Sequence, residues 1–121
     1  MVKRVLVVED YDDTREMMRI MIEKYGYSVL EASGPYEAIE KASEFHPDLI
    51  LMDIGLPLMD GLTTAEAIIG KEGTADIPIV AVTAYHDVRS QVMKAGCLGV
   101  LYKPIDPPKL KQVLDDHLAG H

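Results

Sequence analysis

The sequence predicts an α/β domain built on an open, doubly wound parallel sheet, and three observations carry that prediction. Short apolar runs alternate with segments of helical periodicity five times along the chain. The first, third and fourth runs are almost continuously apolar, the pattern of parallel strands covered on both faces. Glycines and prolines stand at the junctions, where helices stop and turns begin.

The predicted strands are Arg4–Val8, Ser28–Glu31, Leu49–Met52, Ile77–Val82 and Val100–Tyr102. Between the first two, Met18, Met21, Ile22 and Tyr25 recur at helical spacing, with Asp12 or Asp13 as the expected N-cap and Gly26 as the stop. Met17 lies off that stripe. The second helix carries Ala38, Ile39, Ala42 and Phe45 and ends before Pro47, and the third runs from about Gly61 to Ile69, closed by Gly70. The fourth is expected to open at His86, to carry Val88, Val92 and Ala95, and to close at Gly96. The fifth opens at Pro107 or Pro108 and presents Leu110, Val113, Leu114 and Leu118. Five such units imply helices on both faces and right-handed crossovers. The strand order 2-1-3-4-5 is taken as the leading topology because it is a common order of such sheets; these residues do not derive it.

The bulk numbers fit one domain. The chain has 121 residues, 48% of them apolar and 26% charged, an ordinary globular composition. A single domain over residues 1–121 is expected, with no linker and no second domain. The apolar run Val5–Val8 is too short to cross a bilayer, and the acids Glu9 and Asp10 follow it at once, so neither a membrane span nor a signal peptide is read there. The expected location is the cytoplasm, and the lone Cys97, read as a buried filler, agrees with a reducing compartment. A net charge of −8 with scattered Lys and Arg argues against direct DNA binding.

In open α/β sheets ligands bind beyond the carboxyl ends of the strands. The first strand ends in Glu9-Asp10, the third in Asp53, the fourth in Thr83 and the fifth in Lys103. Three carboxylates brought to one edge repel one another, and a hard divalent cation resolves the conflict. Mg²⁺, with Mn²⁺ as a substitute, prefers oxygen ligands and is commonly shared with a phosphate. The chemistry that suits this set is phosphoryl transfer to a carboxylate, with the charge on the phosphoryl oxygens met by the metal, by Lys103 and by the Thr83 hydroxyl. Taken singly, each residue has a plainer reading: Glu9-Asp10 as a solvated loop, Asp53 as a turn residue, Thr83 as a cap, Lys103 as a surface charge before a proline turn. All four would have to hold at once. The histidines His46, His86, His117 and His121 do not join the acidic group.

The strings Val7-Val8-Glu9-Asp10, Leu51-Met52-Asp53 through Asp60-Gly61, Val82-Thr83-Ala84 and Tyr102-Lys103-Pro104 resemble the signature of bacterial receiver domains of two-component response regulators, of the single-domain kind found among chemotaxis and sporulation regulators. The resemblance spans essentially the whole chain, and it implies a flavodoxin-like fold. It implies that Asp53 is the phosphoacceptor, that Asp10, Asp53 and the Gly55 carbonyl bind Mg²⁺ directly, that Glu9 acts through a metal-bound water, and that Thr83 and Lys103 contact phosphoryl oxygens. It also implies a cis Lys103–Pro104 peptide, a histidine kinase or phosphotransfer protein as phosphoryl donor, and a downstream protein as target.

Two other classes compete. A small Mg²⁺-dependent phosphohydrolase with an aspartyl-phosphate intermediate needs an acid two residues past the nucleophile, where Gly55 stands. A pseudo-receiver that is never phosphorylated normally lacks part of the acid–Asp–Lys set, which is complete here. Two departures from the family pattern bear on signal readout. Val100 occupies the place of the usual switch aromatic, and the segment from Thr83 to Gly96 is slightly short. Tyr102, on the same strand face as Val100, or helix four itself is the expected substitute.

Overall fold

A computed structural model of the chain describes residues 2–54 and 58–119, with residues 58–60 described by backbone alone. The elements run β1 (Arg4–Val8), α1 (Asp12–Lys24), β2 (Ser28–Ala32), α2 (Pro35–Phe45), β3 (Leu49–Asp53), α3 (Leu58–Ile69), β4 (Ile79–Thr83), α4 (Arg89–Lys94), β5 (Gly99–Tyr102) and α5 (Pro107–Leu118). All four strand pairings are parallel, and the order is β2-β1-β3-β4-β5.

Side chains alternate along each strand, so every strand feeds two cores. Leu6, Val8, Ile50, Met52, Ile79 and Ala81 point toward α2, α3 and α4, where Ala42, Ile68 and Val92 meet them. Val5, Val7, Leu49, Leu51, Val80 and Val82 point the other way, against Met18 and Ile22 of α1 and Leu110, Leu114 and Leu118 of α5. Both faces of the sheet are covered, which is why the strands read as apolar runs without a polar face. Cys97 is a buried filler of the first core, and burial pushes its thiol up to about 11.

Local chemistry moved several boundaries. The residue at the N-cap of α1 is Tyr11, while Asp12 and Asp13 lie inside the first turn. Asp12 is taken by Arg15 at 2.6 Å and does not cap. β4 begins at Ile79, two residues late, because the Ile77 amide turns back to the Thr74 carbonyl and Pro78 has no N–H for the ladder. α4 has only six residues: Val88 is its N-cap and Ala95 its C-cap, so His86 stays in the loop and does not open the helix. Gly26, at φ +97°, closes α1 in the left-handed region, as its position after Tyr25 suggested.

Gly61 sets the distance between α3 and the end of β3. A Cβ at Gly61 would lie 2.6 Å from Ile54 Cα and 2.8 Å from the Asp53 carbonyl oxygen. Alanine would favour the helix by about 1 kcal/mol. Overpacking costs about 1–3 kcal/mol, and here it meets main-chain atoms that cannot rotate away. Gly61→Ala is therefore expected to lower the urea midpoint of unfolding; an unchanged or raised midpoint would show that α3 shifts freely.

Candidate phosphoacceptor site

The carboxyl edge of the sheet collects the polar ends of four strands. Main-chain bonds carry the sheet a step past its formal ends: the Glu9 amide donates to Ala32 O at 3.0 Å, and the Lys103 amide donates to Thr83 O at 2.8 Å. Asp53 lies opposite Val82 in register, and Thr83 lies opposite Tyr102. Register alone thus sets Asp53, Thr83 and Lys103 on neighbouring strands at one level.

Glu9, Asp10 and Asp53 each present a carboxylate oxygen, and these atoms all lie within 4.8 Å of one another. The Lys103 ammonium donates to Glu9 Oε1 at 2.8 Å and to Asp53 Oδ2 at 3.1 Å. The two adjacent acids of the β1–α1 turn differ sharply, since Glu9 is 1% exposed and Asp10 faces solvent. Glu9 also accepts the Tyr11 amide at 3.2 Å. Thr83 is fully buried, and its hydroxyl oxygen accepts the Tyr85 amide at 3.0 Å. An oxygen that accepts in this way keeps its own proton to donate.

Burial, and then the hydrogen-bonded neighbour Asp53, push the Glu9 carboxyl up to about 7, although Lys103 and the Tyr11 amide pull against them. Burial also disfavours the Lys103 ammonium, but its hydrogen bond to Glu9 and the charge of Asp53 outweigh that and hold it above its ordinary value. With three carboxylates and one ammonium, the fully ionised group carries an excess of negative charge. An all-oxygen donor set with that excess suits a hard divalent cation such as Mg²⁺ or Mn²⁺.

Of the residues singled out from sequence, Glu9, Asp10, Asp53 and Lys103 meet at one place, and Thr83 borders them one residue from the position paired with Asp53. Gly55 lies outside the described residues, as does His121. The Lys103–Pro104 peptide is cis. Val100 packs on the core shared with α3 and α4. The Tyr102 ring stacks on His86, with centroids 4.7 Å apart and planes 12° from parallel. Sequence reasoning missed two residues. His86 was set aside with the other histidines, and Arg15 was not considered, although Arg15 donates to the Glu9 carbonyl oxygen at 2.8 Å. The signal for Arg15 lay in its i,i+3 spacing from Asp12 on the first turn of α1.

A five-stranded parallel sheet that gathers acids, a threonine and a lysine at the carboxyl ends of β1, β3, β4 and β5 defines a class of phosphate-handling signalling modules. The response regulator receiver domain family matches residues 5–115, and the chain belongs to that family: it is a receiver domain of two-component signalling. It is 35% identical to the polar-differentiation response regulator DivK of Brucella ovis, over 98% of each chain. Among solved structures it is similar to the chemotaxis protein CheY4 of Vibrio cholerae, with a TM-score of 0.88 and 29% identity over 98% of this chain and 100% of that one. It is also similar to the receiver domain of the sensor histidine kinase PA1611 of Pseudomonas aeruginosa, solved with a magnesium ion coordinated in its active-site cleft. That likeness has a TM-score of 0.86 and 28% identity over 97% of this chain and 98% of that one. Family membership replaces the competing phosphohydrolase reading. No helix among the described residues is long and apolar enough to cross a membrane.

The Glu9 shift has a consequence for metal-free stability. Its carboxyl titrates at about 7 in the folded protein against an ordinary 4.5, so between those values the unfolded chain has released a proton that the folded chain keeps. Stability from this group is therefore lost as pH rises through that window. In EDTA, the thermal midpoint of Glu9→Gln, which does not titrate, is expected to gain on that of the wild type between about pH 4.5 and about pH 7. Parallel pH profiles for the two proteins would contradict a raised Glu9 pKa.

Proposed function

We propose that Asp53 is the phosphoacceptor of this receiver domain, taking a phosphoryl group from a phosphohistidine on a histidine kinase or phosphotransfer protein. The observation that carries this reading is the Lys103 ammonium, hydrogen-bonded to both Glu9 and Asp53 where the three carboxylates converge. An Asp53 oxygen attacks phosphorus, and the bond from phosphorus to the donor imidazole breaks with its electron pair left on nitrogen. No general base is required, because a carboxylate nucleophile has no proton to remove when it attacks. Asp10 and Asp53, with Glu9 behind them, are the residues that hold Mg²⁺ or Mn²⁺, which supplies charge neutralisation for the phosphoryl oxygens. Lys103 moves its hydrogen bond from the carboxylates to a phosphoryl oxygen, and the Thr83 hydroxyl donates to another. The domain catalyses only its own phosphorylation and dephosphorylation. It works in the cytoplasm on protein partners, and its net charge of −8 disfavours direct contact with DNA.

The readout in this proposal runs through Tyr102. Val100 is β-branched and stiff, so it offers no large rotamer swing. When the Thr83 hydroxyl turns toward the phosphoryl group it draws on the Tyr85 amide it now accepts, and the next residue, His86, carries the ring stacked on Tyr102. His86 and Tyr102 line one side of a groove completed by Pro104, Lys109, Gln112 and Val113, and this is the face whose shape changes for a downstream protein.

Incubation with a small acyl phosphate should add one phosphate mass to the intact protein, and the addition should vanish with EDTA or with Asp53→Asn. Label that persists in Asp53→Asn places the phosphate elsewhere. For the readout, amide NMR shifts of wild type and Tyr102→Leu should differ in their response to a beryllofluoride phosphate mimic across residues 84–106. Identical responses make Tyr102 a spectator.

A further inference from the structure

The β1–α1 turn has to hold two adjacent acids in opposite environments, with the Glu9 carboxylate buried and the Asp10 carboxylate at the surface. Inward, Glu9 is held by Lys103 and by the Tyr11 amide. Outward, its main-chain carbonyl accepts Arg15 Nη1 at 2.8 Å. The same guanidinium donates through Nη2 to Asp12 at 2.6 Å and through Nε to Glu31 at 3.2 Å. Arg15 therefore ties the turn to the first turn of α1 and to β2, and its side chain is only 17% exposed. Arg19 Nε lies 3.6 Å from the second oxygen of Glu31, beyond hydrogen-bonding distance, so Arg15 makes the side-chain hydrogen bond that holds this carboxylate.

We infer that Arg15 is a positioning residue for the metal site, fixing the Glu9–Asp10 peptide plane so that the Asp10 carboxylate faces Asp53. The inference rests on the proposed Mg²⁺ role of Asp10 and Asp53. It concerns geometry, and the charges support that distinction. The Arg15 cation is already matched by Asp12 and Glu31, so it contributes little net attraction to the acids. A planar fork that meets three acceptors at once is a constraint that lysine cannot reproduce. Groups that orient ligands in this way typically change metal affinity by about 10–100-fold when removed.

Electrostatics and positioning predict opposite signs. Deleting a cation near a metal site should tighten binding of a divalent cation, whereas releasing the turn should weaken it. Mg²⁺ is titrated calorimetrically into wild type, Arg15→Met, Arg15→Lys and Arg19→Met, with thermal midpoints recorded in EDTA. Arg19 supplies the electrostatic control, because it hydrogen-bonds Glu23, lies only in ion-pair range of Glu16 and Glu31, and makes no hydrogen bond to the turn. The expected result is Mg²⁺ affinity weakened about tenfold or more in Arg15→Met, weakened also in Arg15→Lys, and unchanged or tightened in Arg19→Met. Amide hydrogen exchange at Asp10 and Tyr11 should quicken in the two Arg15 variants without metal. Arg15→Lys keeps the charge and serves as the test should Arg15→Met fail to fold. Wild-type affinity in Arg15→Lys, or equal weakening in Arg19→Met, overturns the inference. A wild type that does not bind Mg²⁺ overturns the metal site itself, and a wild type that binds while Asp10→Asn does not upholds that site whatever Arg15 does.

Discussion

Like charges do not gather unaided, and the shape of this molecule at its carboxyl edge follows from how that repulsion is met. Lys103 reaches back across 94 positions to Glu9 and 50 positions to Asp53, and one ammonium satisfies both carboxylates. Burying an acid such as Glu9 removes its hydration, which only a close cation or a retained proton can offset. The lysine contributes the first, and the raised Glu9 pKa reports the second. One cation among three acids leaves a deficit of positive charge, and an all-oxygen donor set with that deficit suits a hard divalent ion. The strands must end level for this to work, and the parallel register does that.

Two of the three acids, Glu9 and Asp53, are held from outside the cluster. Glu9 is gripped from both ends, its carboxylate by Lys103 and its carbonyl by Arg15. Asp53 rests on main chain that α3 approaches closely, an approach that only a residue without a Cβ permits at Gly61. These supports come from outside the acidic group, and they help hold mutually repelling side chains within 4.8 Å of one another.

The side of the domain beyond β4 is built differently from the rest. α4 spans six residues where the other helices span eleven to thirteen, so the loop before it must cover part of β5. His86 does so by stacking on Tyr102. An aliphatic Val100 behind this stack leaves the aromatic surface at the position next to Lys103. The short helix, the histidine loop and the tyrosine are thus one arrangement, since lengthening α4 by a turn would claim the residues that now form the loop.

Periodicity is a local property, and what rests on it was legible in the sequence: five strands, five helices, the two faces of the sheet, and the polar residue standing at each strand end. The strand order was a general expectation about such sheets that the structure bore out. Element ends were less legible, because they turn on single hydrogen bonds: Asp12 pairs with Arg15 and leaves the cap to Tyr11, and Ile77 bonds back to Thr74 before Pro78. Asp53 and Lys103 could be placed at one edge by counting strands, but no count says that a single ammonium bridges Glu9 and Asp53, nor that Glu9 is the buried acid and Asp10 the exposed one. The roles of Arg15 and His86 were invisible for the same reason. Each is defined by a partner on another element, and distance along the chain carries no information about which side chains the packed sheet and helices bring into hydrogen-bonding or stacking range.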